Sequence, residues 1–300
     1  MIGIPLVSVI IPCYNSGSTL SRTIDSVARQ TWEKIELIIV NDGSTDKSTI
    51  ELLDFYSTKP NIIVHSQINK GLASARNIGI RISKGDFILP LDSDDWLDDN
   101  AIEIMIDTFR LGSESSIVFS DIKLEGKRVG VKKTYCNPFE QLFSNQLPYC
   151  MLFPKCIIQE INGYDENLVY GLEDWDLNLR LLTSGYKFKK IDTPLFHYTT
   201  AQSGMFWDKT SRDFGFIFKK IRNKNFVNYK FGNLSKTYKI SKEIPSKRVI
   251  FLYFILNSIY KITPTIIINS MYSTMYKLRN KSFLASYHLN SEINKSKDRF

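Results

Sequence analysis

The chain reads as an α/β protein with a mostly parallel sheet covered by helices on both faces, followed by a basic, mainly helical appendage. Three observations predict this. Strand and helix patterns alternate strictly from the N-terminus to residue 95. The strands are continuous apolar runs, as parallel strands buried on both faces are. Charge then changes sign along the chain: residues 1–204 hold 20 Lys and Arg against 26 Asp and Glu, a net −6, whereas residues 205–300 hold 19 against 5, a net +14, summing to the chain's +8. The division predicts a first domain over 1–204 and a basic, aromatic region over 205–300.

The elements follow in order. Val7-Ser8-Val9-Ile10-Ile11 is a β-branched strand that Pro12 is expected to end. Leu20, Ile24 and Val27 fall at i, i+4 and i+7, one face of a helix, and Ile35 to Val40 gives the second strand. Ser44 to Phe55 reads as a helix, Ile62 to Val64 as a strand, Gly71 to Ile82 as a helix and Phe87 to Leu91 as the fourth strand, with a further helix starting near Asp98 or Asp99. Beyond residue 204, Lys247 to Tyr260 is an apolar run interrupted afterwards by Lys261 and Pro264. It is shorter than the roughly 20 apolar residues a bilayer span needs, so either an interfacial helix or a packed helical subdomain is expected.

The fourth strand ends in Asp92-Ser93-Asp94-Asp95. Carboxylates crowded at a strand end repel one another unless a cation sits there, and hard oxygen ligands suit Mg²⁺ or Mn²⁺, which complete their shells with phosphate and water. A helix-capping acidic turn is the alternative. In open parallel sheets ligands bind outside the carboxyl ends of the strands. The loops Pro12-Cys13-Tyr14-Asn15, Asn41-Asp42-Gly43-Ser44-Thr45-Asp46 and Asp92-Ser93-Asp94-Asp95 are therefore expected to converge on one crevice.

These loops, with Asn69-Lys70-Gly71-Leu72-Ala73-Ser74-Ala75-Arg76-Asn77 and Gly171-Leu172-Glu173-Asp174-Trp175-Asp176, resemble the successive motifs of glycosyltransferase family 2, in that family's order, across roughly residues 5 to 200. The resemblance implies the Rossmann-like A-type glycosyltransferase (GT-A) fold, a nucleotide-sugar donor, most commonly UDP-linked, a divalent cation, and transfer with inversion at the anomeric carbon. By the same resemblance, Asp42 accepts a hydrogen bond from the base, Tyr14 and the backbone near Pro12 line the base pocket, and Arg76 adds a donor nearby. Asp94 becomes the direct metal ligand and Asp92 reaches the ribose or a metal-bound water; strand alternation would put the two on one face. Asp95 orients its neighbours or caps the next segment.

Transfer also needs a base for the acceptor hydroxyl. Asp174, in the first turn of a helix striped by Leu177, Leu181 and Leu182, is the candidate, with Glu173 holding an acceptor hydroxyl and Asp176 pointing elsewhere. Acids at a helix start are otherwise simple dipole partners. In Pro194-Leu195-Phe196-His197-Tyr198-Thr199-Thr200 the chain departs from the family pattern, because Thr199 stands where an Arg is common. His197 either ligates the metal or packs against aromatics, while His65 and His288 read as incidental.

Other classes fit less well. A nucleotidyltransferase would show a Gly-rich basic loop after its first strand, which Pro12-Cys13-Tyr14-Asn15-Ser16-Gly17 is not. A nucleic-acid-binding protein would explain the basic tail but not an acidic crevice, so no nucleic-acid partner is expected. Four Cys without C-x-x-C spacing read as free thiols in a reducing compartment, and no basic n-region precedes an apolar segment at the N-terminus. The expected setting is cytoplasmic and peripheral at the inner face of the cell membrane. There the basic tail meets anionic lipid and the acceptor is a lipid-linked saccharide of surface polysaccharide synthesis.

Overall fold

The computed structural model describes residues 3–112, 116–169, 171–200, 211–241, 247–260, 262–264, 267, 268 and 270, with the side chains of 211–213, 240, 247–249 and 252 left aside. Gly204, Lys261 and His288, and the side chains of Lys247 and Arg248, lie outside the described residues. Two compact units emerge. One is formed within Met1–Cys136 and Ser144–Met205, the other within Asn137–Phe143 and Phe206–Phe300.

The first unit begins with three βα repeats and a fourth strand: β1 (Val7–Cys13), α1 (Leu20–Ala28), β2 (Ile35–Asp42), α2 (Lys47–Ser57), β3 (Ile62–Gln67), α3 (Leu72–Ile82) and β4 (Phe87–Pro90), then β5 (Trp96–Leu97) and α4 (Ala101–Arg110). A second stretch supplies β6 (Ser116–Gly126) and β7 (Gly130–Lys132); after α5 (Pro138–Gln141), which belongs to the other unit, come β8 (Phe153–Pro154), α6 (Lys155–Glu160), α7 (Glu173–Thr183) and β9 (Lys187–Thr200). The main sheet runs β3-β2-β1-β4-β8, parallel except for β8, and a smaller sheet runs β5-β9-β6-β7.

Alternation within β1 and β2 explains why their sequences are apolar throughout. Val7, Val9, Ile11, Leu37 and Ile39 enter one core with α1 and α4, while Ile10 packs into a second core with Ile80, Ile88 and Phe119. Ile38 and Val40 meet Ala75 of α3. Both faces are thus buried.

Several boundaries differ from expectation for local reasons. Strand β1 runs through Pro12 to Cys13, because β4 pairs with β1 only as far as Ile10↔Pro90; at Pro12 the ladder continues only toward Val40 of β2, and the missing N–H costs little. Helix α2 starts at Lys47 rather than Ser44, since the Asp46 side chain accepts from Thr49 N and caps it there. Strand β4 stops at Pro90, so Asp92–Asp95 form a turn and the strand-alternation argument does not apply to them. The stretch 194–200 lies inside the long strand β9.

The second unit holds α5, α8 (Ser211–Lys224), a 3₁₀ turn (Phe226–Tyr229), α9 (Phe231–Ile240) and α10 (Lys247–Ile259). Phe139 and Phe143 explain why residues 137–143 join it: Phe143 stacks on Tyr253 with ring centroids 4.4 Å apart, and Phe139 lies edge-on to Tyr238 at 5.2 Å. Ile250, Tyr253, Leu256 and Tyr260 bury one face of the apolar run, and Phe251 on another face is exposed. No helix among the described residues is long and apolar enough to cross a membrane.

Helix α3 lies close on β1 because Gly79 has no side chain: a Cβ there would sit 2.3 Å from Cγ2 of Ile10, a stiff β-branched residue of a central strand. Gly79→Val should therefore lower unfolding free energy by about 2 kcal/mol or more in a urea titration, as overpacking does. An unchanged midpoint would contradict this packing.

Candidate active site

The loops at the strand ends are tied together. Asn15, at a left-handed φ of 51°, uses its side-chain oxygen to accept from Thr45 N at 2.7 Å and Asp46 N at 3.1 Å, joining the β1 and β2 loops. Ser16 Oγ lies 2.7 Å from Ser93 Oγ, joining the β1 loop to the acidic turn. Tyr14 remains about half exposed beside them, and Pro12 is buried in the strand.

Asp42 is buried and fully engaged. Gln67 Nε2 and Lys70 N donate to one of its oxygens at 2.6 and 2.8 Å, and Gly71 N donates to the other at 2.8 Å. It therefore shapes the start of α3. A cleft of about 400 Å³ between α2 and β3, reaching Asn41 and Ser44, is lined by none of Asp42, Asp92, Asp94 or Asp95.

Three carboxylates of the acidic turn take three directions. Asp92 accepts from Arg76 Nη2 at 2.6 Å. Asp95 is buried, accepts from the Tyr149 hydroxyl and from Thr199 N at 2.7 Å, and so pins the turn to β9. Burial and the neighbouring Asp94 and Asp92 charges push its carboxyl well above the usual range. Asp94 has no hydrogen bond from another residue to its carboxylate among the described residues. Burial, with Asp92 beside it, raises it to about 6, while Arg22 pulls the other way.

Across from this turn stands the first turn of α7. Gly171 and Leu172 both take left-handed φ values, 98° and 63°, and this bend turns Glu173 and Asp174 inward. Glu173 accepts from Arg76 Nη1 at 2.6 Å. Burial raises its carboxyl and the guanidinium opposes the rise. Asp174 accepts from Asn145 Nδ2 and from Trp175 N, each at 2.8 Å, and burial raises it too, again against Arg76. Asp176 is buried in a separate ion pair with Arg180 at 2.8 Å.

Arg76, 1% exposed, therefore bridges the acidic turn and the first turn of α7. Its neighbour Asn77 works in parallel, donating to Tyr164 O and Glu166 Oε1 and accepting from Tyr164 N. His197 is not brought to the acidic cluster. Its Nδ1 bonds Glu125 and its Nε2 bonds Asp98, each at 2.9 Å, and its ring stacks on Trp96. His65 lies in β3.

The donor set suits a cation that takes one or two carboxylates and fills its shell from substrate: Asp94 is uncommitted and Asp92 is held through one oxygen. Asn145, Tyr149 and Arg22 were not legible as site residues. Each reaches the site through packing between distant segments, and no local pattern marks it.

Carboxylates at the ends of parallel strands, facing a helix that begins with an acid pair of which Glu173 is buried and Asp174 half-buried, are the arrangement of an A-type glycosyltransferase fold. The family model described as Glycosyl transferase family 2 matches residues 8–158, and the chain belongs to that family. It is 38% identical over 196 residues to a chondroitin synthase from Escherichia coli, covering 63% of this chain and 28% of that protein. It is 30% identical over 211 residues to the uncharacterized glycosyltransferase EpsJ of Bacillus subtilis, covering 65% and 61%. With a hyaluronan synthase from Pasteurella multocida it shares 41% over 107 residues, 35% of this chain and 11% of that one. The chain thus spans about a quarter or less of the length of the two polymer synthases. The crystal structure of S. aureus TarS 1–349 in complex with UDP-GlcNAc shares the fold, with a TM-score of 0.61 and 18% identity over 85% of this chain and 72% of that one.

The raised Asp94 carboxyl carries a stability signature. The folded chain holds this proton more tightly than the unfolded chain, so the group costs stability above pH 6, and the cost fades as pH falls from about 6 toward the ordinary 3.8. Without divalent cation, Asp94→Asn should be more stable than the unaltered protein near neutral pH, by about 2 kcal/mol after allowing for partial exposure, and equal to it near pH 4. Denaturant midpoints that differ equally at both pH values would contradict this.

Proposed function

We propose that the chain transfers a sugar from a UDP-linked donor to a saccharide acceptor, with inversion, using Mg²⁺ or Mn²⁺ at Asp94 and Asp92. One observation carries the reading: a single guanidinium, by bonding Asp92 and Glu173, ties the turn that bears the uncommitted Asp94 to the helix start that bears the hydrogen-bonded Asp174. The UDP-GlcNAc in the TarS structure supports the donor class.

In this reading Tyr14 offers a ring face to the base, and the β1 and β2 loops frame it. Asp94 and Asp92 would hold the metal, which would supply neutralisation of the charge on the departing diphosphate in place of a protein acid. Asp174 takes the proton of the acceptor hydroxyl as its oxygen bonds the anomeric carbon and the bond to the diphosphate oxygen breaks. Asn145 and Trp175 N orient that carboxylate, and burial favours its protonated product state. A single displacement from the face opposite the leaving group inverts the centre. Glu173, held by Arg76, keeps the helix start in register with the donor side.

The acceptor in this proposal is a lipid-linked saccharide of surface polysaccharide synthesis; the polymer synthases among the relatives support the saccharide part of that reading. The second unit is basic and exposes Phe216, Phe226, Phe231 and Phe251, a composition suited to an anionic leaflet.

Release of nucleoside diphosphate from a panel of nucleotide sugars, with and without Mn²⁺, tests the donor and metal together. Metal-dependent release from a UDP-sugar is expected, and release that ignores both metal and base would overturn the reading. Asp174→Asn should keep donor affinity while kcat falls by about 10² to 10⁴. Collapse of donor affinity with kcat preserved would move the base elsewhere. Changing Lys247, Arg248 and Lys261 together to Gln should reduce sedimentation with anionic vesicles at low salt and spare turnover of a short soluble acceptor. Unaltered sedimentation would leave the second unit without a lipid role.

A further inference from the structure

Helix α1 packs under the acidic turn. The Thr23 hydroxyl donates to the main-chain oxygens of Ser93 at 3.0 Å and Asp95 at 2.7 Å. One residue earlier, Arg22 turns outward over the same segment. Its Nη2 donates to the main-chain oxygen of Asp94 at 2.9 Å and to Thr199 Oγ1 at 3.3 Å, and its guanidinium lies 3.7 Å from the centroid of Trp96. Thr199 itself donates through Oγ1 to Asp94 O and through N to Asp95.

Three contacts therefore fix this guanidinium, and none of them neutralises it. Arg22 is exposed and makes no ion pair among the described residues, although it lies near enough to Asp94 to oppose the rise of that carboxyl. A guanidinium is permanently charged and offers five donors in a planar fork that matches phosphate oxygens. Only Nη2 is committed here. Thr199, which Nη2 bonds at the end of β9, is uncharged and brings no cation of its own to the Asp94 turn. Holding such a long side chain in one rotamer on an indole face removes entropy that binding would otherwise have to overcome.

We propose that Arg22 binds the diphosphate of the donor at the Asp94 turn, supplying from the first helix a cation that β9 does not supply. The guanidinium then shares the charge of the departing diphosphate with the metal. This rests on the nucleotide-sugar reading above.

The test is calorimetric titration of the full chain in Mn²⁺, comparing UDP with uridine, for the unaltered protein, Arg22→Gln and Arg22→Lys. Expected is a weakening of UDP binding by about tenfold or more in Arg22→Gln, with uridine binding unchanged and Arg22→Lys in between. A structural latch alone would weaken UDP and uridine equally, and that outcome overturns the proposal, as does UDP affinity unchanged in Arg22→Gln. If the unaltered protein binds neither UDP nor any other nucleoside diphosphate, the donor reading itself falls and Arg22 with it. Unaltered binding beside an insensitive Arg22→Gln rejects Arg22 alone.

Discussion

One buried guanidinium organises the acidic cluster of the first unit. Arg76 donates to Asp92 through one nitrogen and to Glu173 through another, each at 2.6 Å, inside a region that also holds Asp94, Asp95 and Asp174. Without a cation these buried and half-buried acids would repel one another. The bridge also fixes distance. It ties a turn after β4 to a helix that starts 97 positions along the chain from Arg76, so two acidic segments come to one place. Buried ion pairs seldom add net stability over apolar packing, but losing one partner strands the others at a cost of about 3–5 kcal/mol.

The position of Arg76 follows from α3. Asp42 receives the backbone N–H groups that open this helix, Gly79 lets it settle on β1, and Asn77 grips the segment at Tyr164 and Glu166. Asp42 and Arg76 thus have a structural duty in the free protein besides any role toward a nucleotide. The acidic turn is pinned in the same way by Asp95, which leaves Asp94 as its uncommitted carboxylate.

The order and type of the first elements were legible because period and burial agree in them: Val7 to Ile11 and Ile35 to Val40 are apolar on both faces, and Leu20, Ile24 and Val27 share one. The acids of the turn were legible because carboxylates crowded at a strand end are costly, and Glu173 and Asp174 because they fall in a stretch that resembles a family motif. Partners were not. Nothing near Glu173 in the chain signals Arg76, and nothing near His197 signals Glu125 and Asp98, which occupy both of its nitrogens. Boundaries shifted where one side chain intervened, as at Asp46, or where a neighbouring strand stopped, as at Pro12. Phe139 and Phe143 lie in the middle of the first unit's sequence yet serve the core of the second, a long-range choice that local pattern does not encode.

The central claim is that Arg76 couples the acidic turn to the first turn of α7 as one unit. Double-mutant cycles on unfolding free energy, pairing Arg76→Met with Asp92→Asn and with Glu173→Gln, measure this directly. The account predicts a coupling of about 1.5 kcal/mol or more for each pair, as found for contacting charges in one network. Additive effects in both cycles would contradict it.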